Sequence, residues 1–254
     1  AGVMSGGGDD QAMSRRYALY LAPRPQTLLW DFGCRVLGYD AETGREVEQI
    51  APAGMTPARF RDLTREPRRY GFHATIKPPL RLAEGRSEAE LLAALRAFCA
   101  SREPFLLPHL VLSRLGHDGD QAAFFALVEP EPTAPLLALE RDAVIGFDRF
   151  RAPLDPAERA RRRPETLNAQ KRALLDRYGY PGVLEAFRFH MTLTGRVPAD
   201  EADMIADDLT RRLAALPQPV SLSVDHLALF RQDGDARFEI VARIPFGPAA
   251  LTAT

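Results

Sequence analysis

Two short segments of the sequence each place a histidine two residues before a threonine. The first is Phe72-His73-Ala74-Thr75 and the second is Phe189-His190-Met191-Thr192. In a strand, residues i and i+2 point to the same face, so each histidine lies beside its own threonine. Histidine is the side chain that gains and loses a proton near neutral pH. Two histidines that exchange protons, with hydroxyls that hold the oxygens on phosphorus, predict phosphodiester cleavage without a metal.

A single Phe-His-x-Thr run is more often a packing feature than a catalytic one. Here two of the five histidines share the same context, and this repetition favours a functional interpretation. The other three are given structural or surface roles: His109 and His117 are expected on the surface beside a hairpin, and His226 is expected at the start of a strand.

The same alternation of side chains adds further residues to each face. Lys77 joins the first motif, and Arg188 and Thr194 join the second. Lys77 is one of only two lysines in the chain, and we predict that it binds a phosphate oxygen of the substrate. The alternative is that Pro78 and Pro79 end the strand and turn Lys77 into solvent.

Several tyrosines precede the first motif in the chain. Tyr17, Tyr20 and Tyr70 are therefore candidates for substrate contacts, with Tyr20 and Tyr70 the ones we assign. Their rings offer stacking faces for a nucleobase. The competing interpretation is packing at strand ends, which we expect for at least one of them.

The surroundings of the motif occur twice in the sequence. Each motif is followed by an amphipathic helix and then by a hairpin with an Asp-Gly-Asp turn, at Asp118 and at Asp233. The distance from histidine to turn is 45 residues in the first half and 43 in the second. A capping box at Ser87 begins the first helix, and Asp200 is the predicted cap of the second.

This order predicts an α+β fold that is internally duplicated, with antiparallel sheets flanking a central cleft. Pseudo-twofold symmetry relates its two lobes and places the two His-x-Thr strands side by side. We expect a leader or tag without fixed structure at residues 1–12, one bilobal domain at 13–246 and a flexible tail at 247–254. The lobes are predicted at about 14–130 and 131–246.

Composition excludes several classes of protein. The 33 basic and 34 acidic residues leave a formal charge of −1, which disfavours binding of long nucleic acids. No apolar run is long enough for a membrane helix.

Cys34 and Cys99 are far apart in apolar contexts, as in reduced cytoplasmic proteins. Neither metal-ligand spacing nor a phosphate-binding glycine loop is present, so we expect no metal and no cofactor. The basic run at 159–163 is predicted to be a solvated helix face.

Two His-x-Thr motifs about a hundred residues apart, in a repeated α+β chain, resemble the 2H phosphoesterase superfamily. The strings from Arg69 to Pro79 and from Arg188 to Gly195 are most similar to a bacterial branch encoded in operons for phosphonate breakdown. The resemblance extends over about 17–246. It implies that His73 and His190 are catalytic and that Thr75 and Thr192 bind phosphate.

The residues and the resemblance together predict a phosphoric diester hydrolase that opens a cyclic phosphate on a small metabolite. A ribosyl 1,2-cyclic phosphate that carries a 5-phosphate is the substrate that the phosphonate association implies. The alternatives are an RNA-end processing enzyme for 2′,3′-cyclic phosphates or 2′,5′ linkages, and a phosphate-ligand sensor without catalysis. The sequence does not say which histidine is the acid.

Overall fold

A computed structural model describes residues 15–116 and 122–252, and its largest element is one antiparallel sheet. The twelve strands of the described residues are β1 (Arg16–Leu21), β2 (Tyr39–Asp40), β3 (Arg45–Glu46), β4 (Ala74–Leu80), β5 (Phe105–Leu107), β6 (Val111–Leu115), β7 (Ala122–Val128), β8 (His190–Thr192), β9 (Val197–Pro198), β10 (Leu222–Val224), β11 (His226–Gln232) and β12 (Glu239–Pro245). Their eight α-helices are α1 (Leu28–Leu37), α2 (Pro57–Leu63), α3 (Arg65–Arg68), α4 (Glu88–Ala100), α5 (Ala134–Gly146), α6 (Pro156–Arg161), α7 (Ala169–Tyr178) and α8 (Ala199–Ala214). The α+β class is confirmed.

The sheet has the strand order β12-β11-β1-β4-β8-β7-β6, and β9 adds to β7. The strands that carry the two motifs, β4 and β8, are therefore neighbours at its centre. The two predicted antiparallel sheets are thus the two halves of one sheet, joined where β4 meets β8.

The halves of the sheet do not coincide with the halves of the sequence. The hairpin β11-β12, from the second sequence repeat, pairs with β1 beside β4. The hairpin β6-β7, from the first repeat, pairs with β8. Each repeat thus gives its hairpin to the other half of the sheet, so the predicted lobe boundaries at 14–130 and 131–246 do not describe the spatial halves.

Local sequence explains where the main helices begin and end. Ser87 and Glu90 form the predicted capping box of α4, with both reciprocal hydrogen bonds present. Pro198 precedes α8 as its N-cap, and Asp200 lies in the first helical turn instead of capping it. A proline with extended backbone fits the position before a helix, which explains why the Asp200 prediction is wrong.

The hairpins occur where the sequence predicts them, although the turn at 118–120 lies outside the described residues, as do His117 and residues 1–12. The chain end differs from the prediction of a flexible tail. Pro248–Thr252 form a 3₁₀ turn in which Ala250 is buried, and the Gly247 amide donates to the Cys99 carbonyl of α4. Burial of small apolar side chains against α4 holds this segment in place.

Candidate active site

The central residues of the two His-x-Thr motifs face each other across the sheet. Ala74 of β4 pairs with Met191 of β8 in antiparallel register, and both side chains are buried. The register places His73 opposite Thr192 and Thr75 opposite His190. Because neighbouring residues of a strand point to opposite faces, the two histidines and two threonines share the face that Ala74 and Met191 do not. All four line one cavity.

Both imidazoles are oriented by the same backbone contact. Nδ1 of His73 lies 2.8 Å from the Gly71 carbonyl oxygen, and Nδ1 of His190 lies 2.8 Å from the Arg188 carbonyl oxygen. A carbonyl oxygen only accepts, so each Nδ1 carries the proton and each Nε2 is left for chemistry. Nε2 of His73 lies 3.3 Å from the Thr75 hydroxyl.

Glycine is required at the residue that holds His73. Gly71 has a φ of +77°, in the left-handed region that L side chains rarely adopt. A Cβ there would lie 2.7 Å from the Cβ of Ala41. The left-handed turn directs the Gly71 carbonyl at the imidazole two residues later, and a side chain at this position would displace it.

The environment of His73 favours its neutral form. Its ring stacks on Tyr20, with centroids 3.7 Å apart and planes at 14°. Burial lowers the pKa of His73 to about 3, and the charge of His190 adds to this, while the Gly71 hydrogen bond opposes it. At neutral pH, Nε2 of His73 is therefore an unprotonated acceptor that faces the cavity.

The cavity has a volume of about 540 Å³ and extends well beyond the four motif residues. Tyr20, Tyr70 and the second-motif residue Thr194 also line it. Thr194 is fully buried, and its hydroxyl accepts a hydrogen bond from the Phe125 amide of β7. This bond joins the segment that follows β8 to β7. The other lining residues include Arg16, Glu66, Pro78, Pro79, Phe124, Arg162, Tyr180 and Arg196.

The structure places Lys77 away from the cavity, contrary to both alternatives considered for it. Along the β1–β4 pairing, Tyr20 is opposite Thr75 but Leu19 is opposite Lys77, so Ile76 is an extra residue on β4. Such a bulge inverts the alternation, and Lys77 points to the other face. There it is 1% exposed, and its ammonium donates to the Val144 carbonyl at 2.9 Å and to Asp148 at 3.2 Å.

Arg188 also lies outside the cavity lining. Strand β8 begins only at His190, so strand alternation does not extend back to residue 188. The Arg188 side chain is exposed, and its guanidinium donates to the Phe187 carbonyl at 2.6 Å. Its contribution to the site is the backbone carbonyl that orients His190, which side-chain reasoning could not indicate.

Sequence reasoning missed the arginines that do line the cavity. Arg16 begins β1, and Arg162 follows α6 in the run that was predicted to be a solvated helix face. That prediction is wrong for Arg162, whose guanidinium lies 4.9 Å from the centre of the Tyr180 ring. Tyr180 comes directly after Gly179, the left-handed cap of α7. No local pattern identifies Arg162 and Tyr180, because loops distant in sequence from the motifs bring them to the cavity.

The remaining histidines of the described chain lie outside the site. His109 is exposed, and His226 begins β11, is buried and contacts Asp225 and Arg243. Within residues 15–116 and 122–252 no three His, Cys, Asp or Glu side chains are grouped to hold a metal ion. No helix in this part of the chain is long and apolar enough to cross a membrane.

Comparison with known proteins assigns the chain to a family. Residues 75–239 match a family model described as "Protein of unknown function (DUF1045)". The chain belongs to this family. The match extends from Thr75 of the first motif across the whole of the second. Paired His-x-Thr strands that face one cavity are the arrangement that the internal repeat predicted for this DUF1045 member.

Two curated relatives carry the name ribose 1,5-bisphosphate phosphokinase PhnN. The protein from Janthinobacterium sp. (strain Marseille) is 37% identical over 235 residues, which are 91% of this chain and 51% of the relative. The protein from Laribacter hongkongensis (strain HLHK9) is 35% identical over 215 residues, 85% of this chain and 48% of the relative. The chain therefore spans about half the length of these relatives.

Three solved structures are similar to most of the DUF1045 chain. They are a phosphoesterase (TM-score 0.41, 14% identity), Escherichia coli LigT complexed with 3′-AMP (0.40, 15%) and Kluyveromyces marxianus Usb1 with uridine monophosphate (0.38, 10%). Each comparison covers 92% of this chain and 99% of the other.

Proposed function

We propose that this protein is a metal-independent phosphodiesterase that hydrolyses the cyclic phosphate of a small phosphorylated metabolite. One observation carries the proposal. Two histidine rings, each with Nδ1 bound to a backbone carbonyl, and two threonine hydroxyls share one face of adjacent strands. In-line displacement at phosphorus needs a proton acceptor on the attacking side and a proton donor on the leaving side. Two histidines on separate strands supply both.

We assign the base to His73, because burial favours its neutral form. Its neutral Nε2 takes a proton from water as the water oxygen bonds to phosphorus. His190 enters the step as the imidazolium, with a proton on Nε2 as well as on Nδ1. The bond from phosphorus to one ester oxygen breaks, and that oxygen receives the Nε2 proton of His190. The product is a phosphomonoester with a free hydroxyl. The hydroxyls of Thr75 and Thr192 hold non-bridging oxygens as negative charge grows on them.

The relatives support a sugar phosphate as the substrate. They carry the name of a kinase for ribose 1,5-bisphosphate and are about twice as long as the segment they share with this chain. Opening a 5-phosphoribosyl 1,2-cyclic phosphate yields ribose 1,5-bisphosphate, the compound in that name. We therefore place the reaction in phosphonate breakdown, in the cytoplasm, where the buried free thiols Cys34 and Cys99 stay reduced.

The test is turnover of a panel of cyclic phosphates by the purified protein with excess chelator present. The panel contains 5-phosphoribosyl 1,2-cyclic phosphate and the four nucleoside 2′,3′-cyclic phosphates. We expect chelator-resistant hydrolysis of the ribosyl compound. Activity that is lost with chelator and restored by zinc or manganese contradicts the mechanism. Binding without turnover on every substrate indicates the sensor alternative.

The RNA-end alternative needs aromatic faces that are free to stack on bases. The Tyr20 ring is already stacked on His73, and the Tyr70 ring lies parallel to Phe238 with centroids 5.3 Å apart. These contacts weigh against base stacking by the two predicted tyrosines. Preferential hydrolysis of the nucleoside cyclic phosphates would favour RNA-end processing instead.

A further inference from the structure

We infer that Arg16 and Arg162 form a second anion site in the cavity, which binds a phosphate group that does not react. This inference rests on the proposed function and narrows its substrate class to cyclic phosphates that also carry a phosphomonoester. The role predicted for Lys77 thus passes to two arginines that enter the cavity from other elements.

Arg16 is held by a neutral group. Its Nε donates to the Gln232 side-chain oxygen at 2.8 Å, and its Nη2 donates to the same oxygen. Gln232 is fully buried, and its amide nitrogen donates to the Ala236 carbonyl at 2.6 Å, which fixes the amide orientation. An amide orients the guanidinium without cancelling its charge. The preceding Arg15, by contrast, pairs with the carboxylates of Asp233 and Glu88.

Arg162 keeps its charge in a similar way. Its guanidinium rests on the Tyr180 ring, and no carboxylate of the described chain forms an ion pair with it. Nearby Arg159 pairs with Asp176 at 2.8 Å, and that pair joins α6 to α7. A cation–π contact positions an arginine while leaving its donors available for an anion.

The two guanidinium groups belong to the cavity that holds the histidines. Arg16 and Arg162 both line it, together with Tyr20 and His73. The Tyr20 ring in turn stacks on His73. An anion bound by these arginines therefore shares one cavity with the reacting histidines.

The charge of the cavity wall differs from that of the chain. Arg16 and Arg162 line the cavity, and Glu66 is the single carboxylate among its described lining residues. The whole chain carries a formal charge of −1. Positive charge is thus concentrated where a substrate with two phosphates would bind, and guanidinium groups suit phosphate oxygens.

The experiment compares two substrates in matched variants. Arg16→Gln and Arg162→Gln are measured against the controls Arg15→Gln and Arg161→Gln, whose side chains do not line the cavity. On 5-phosphoribosyl 1,2-cyclic phosphate, we expect each test variant to lower kcat/KM by about 10- to 100-fold, the range for charge-assisted hydrogen bonds. On the same cyclic phosphate without the 5-phosphate, we expect less than about a threefold change. The control variants are expected to match the wild type on both substrates.

Equal losses on the two substrates would overturn the second anion site and assign the arginines to the reacting phosphorus. Wild-type kinetics in both variants would overturn it as well. Binding of ribose 5-phosphate, measured by calorimetry, separates this inference from the proposed function because it needs no turnover. Weaker binding in Arg16→Gln than in Arg15→Gln supports the site even if neither cyclic phosphate is hydrolysed.

Gln232→Glu tests the reason for the neutral clamp. The substitution places a carboxylate beside Arg16 with little change in side-chain shape. Gln232 acts on the anion only through Arg16, so it is a positioning residue. We expect binding of ribose 5-phosphate to weaken about as much as in Arg16→Gln, with circular dichroism unchanged. Wild-type affinity in a folded Gln232→Glu protein would show that the uncompensated charge of Arg16 does not contribute to phosphate binding.

Discussion

The phenol ring of Tyr20 lies flat against the imidazole of His73, with ring centroids 3.7 Å apart and planes at 14°. Tyr20 is on β1, opposite Thr75 of β4, so a neighbouring strand supplies this contact. The ring covers one face of the imidazole, excludes water from it and fixes its plane. Both effects keep His73 neutral and aligned.

Removing this ring should change the pH dependence of the reaction. Burial depresses the pKa of His73, so the base stays unprotonated well below its ordinary value of 6.5. In Tyr20→Leu the imidazole is better hydrated, its pKa rises, and the acid limb of kcat/KM moves to higher pH. Activity at pH 5 to 6 then falls more than activity at pH 8. Tyr20→Phe keeps the ring and should retain the wild-type limb; an unmoved limb in Tyr20→Leu would contradict this account.

The two histidines should behave as one unit in kinetics. We expect His73→Ala and His190→Ala each to lower kcat by about 10²- to 10⁴-fold, the usual range for a general acid or base. The double variant should lose much less than the product of the two effects, because either deletion already disables proton transfer. Thr75→Ala and Thr192→Ala should lose less than the histidine variants. Near wild-type turnover by either folded histidine variant would exclude the paired mechanism.

Lys77 should affect stability but not substrate choice. In Lys77→Met the buried chain volume is nearly kept, while the Val144 carbonyl and Asp148 lose a donor. Asp148 retains Arg151 at 2.9 Å, so we expect a loss of about 1–3 kcal/mol in the free energy of unfolding. The ratio of kcat/KM for substrates with and without the 5-phosphate should equal that of the wild type. A changed kcat/KM ratio would indicate that Lys77 contacts the substrate.

Glu140 should make stability depend on pH. It is buried on α5, its carboxylate accepts from the Leu184 amide, and burial raises its pKa from 4.5 to about 7. The folded state therefore holds a proton that the unfolded chain releases, and the contribution of this group to stability falls as pH rises from about 4.5 to 7. Glu140→Gln replaces the carboxyl with an amide that does not titrate, so this decrease in stability with rising pH is absent from the variant.

Relative to the wild type, Glu140→Gln should therefore be more stable at pH 8 than at pH 4.5. We expect a difference of about 1–3 kcal/mol, since one unit of pKa shift corresponds to about 1.4 kcal/mol. Urea unfolding at the two pH values measures it. An equal effect of the substitution at both values would show that the carboxyl has no raised pKa.

The motif residues and their immediate elements were predictable because their information is local. Strand alternation placed His73 and Thr75 on one face, and the capping box began α4 at the predicted residue. Alternation failed at Lys77, where one extra residue in β4 inverts the faces. A bulge depends on the pairing partner, and a single strand does not reveal its partner.

The charged part of the cavity was not predictable for a related reason. Arg162 and Tyr180 enter it from the ends of two short helices, whose position depends on ion pairs such as Arg81 with Glu158 at 2.7 Å. In the sequence, Arg162 belongs to a basic run that looks like the solvent-exposed face of a helix. Tertiary contacts selected one arginine of that run for the cavity and left its neighbours in solvent.

The exchange of hairpins within the sheet makes the two repeats mutually dependent. A fragment with only the first repeat would leave β1 without β11, and its own β6-β7 hairpin without β8. Both would be open strand edges, which bind other strands readily. The arrangement is the intramolecular counterpart of a domain-swapped dimer. Neither histidine can therefore be separated from the other by division of the chain: a catalytic half-protein would have to recruit a second molecule to complete its own sheet.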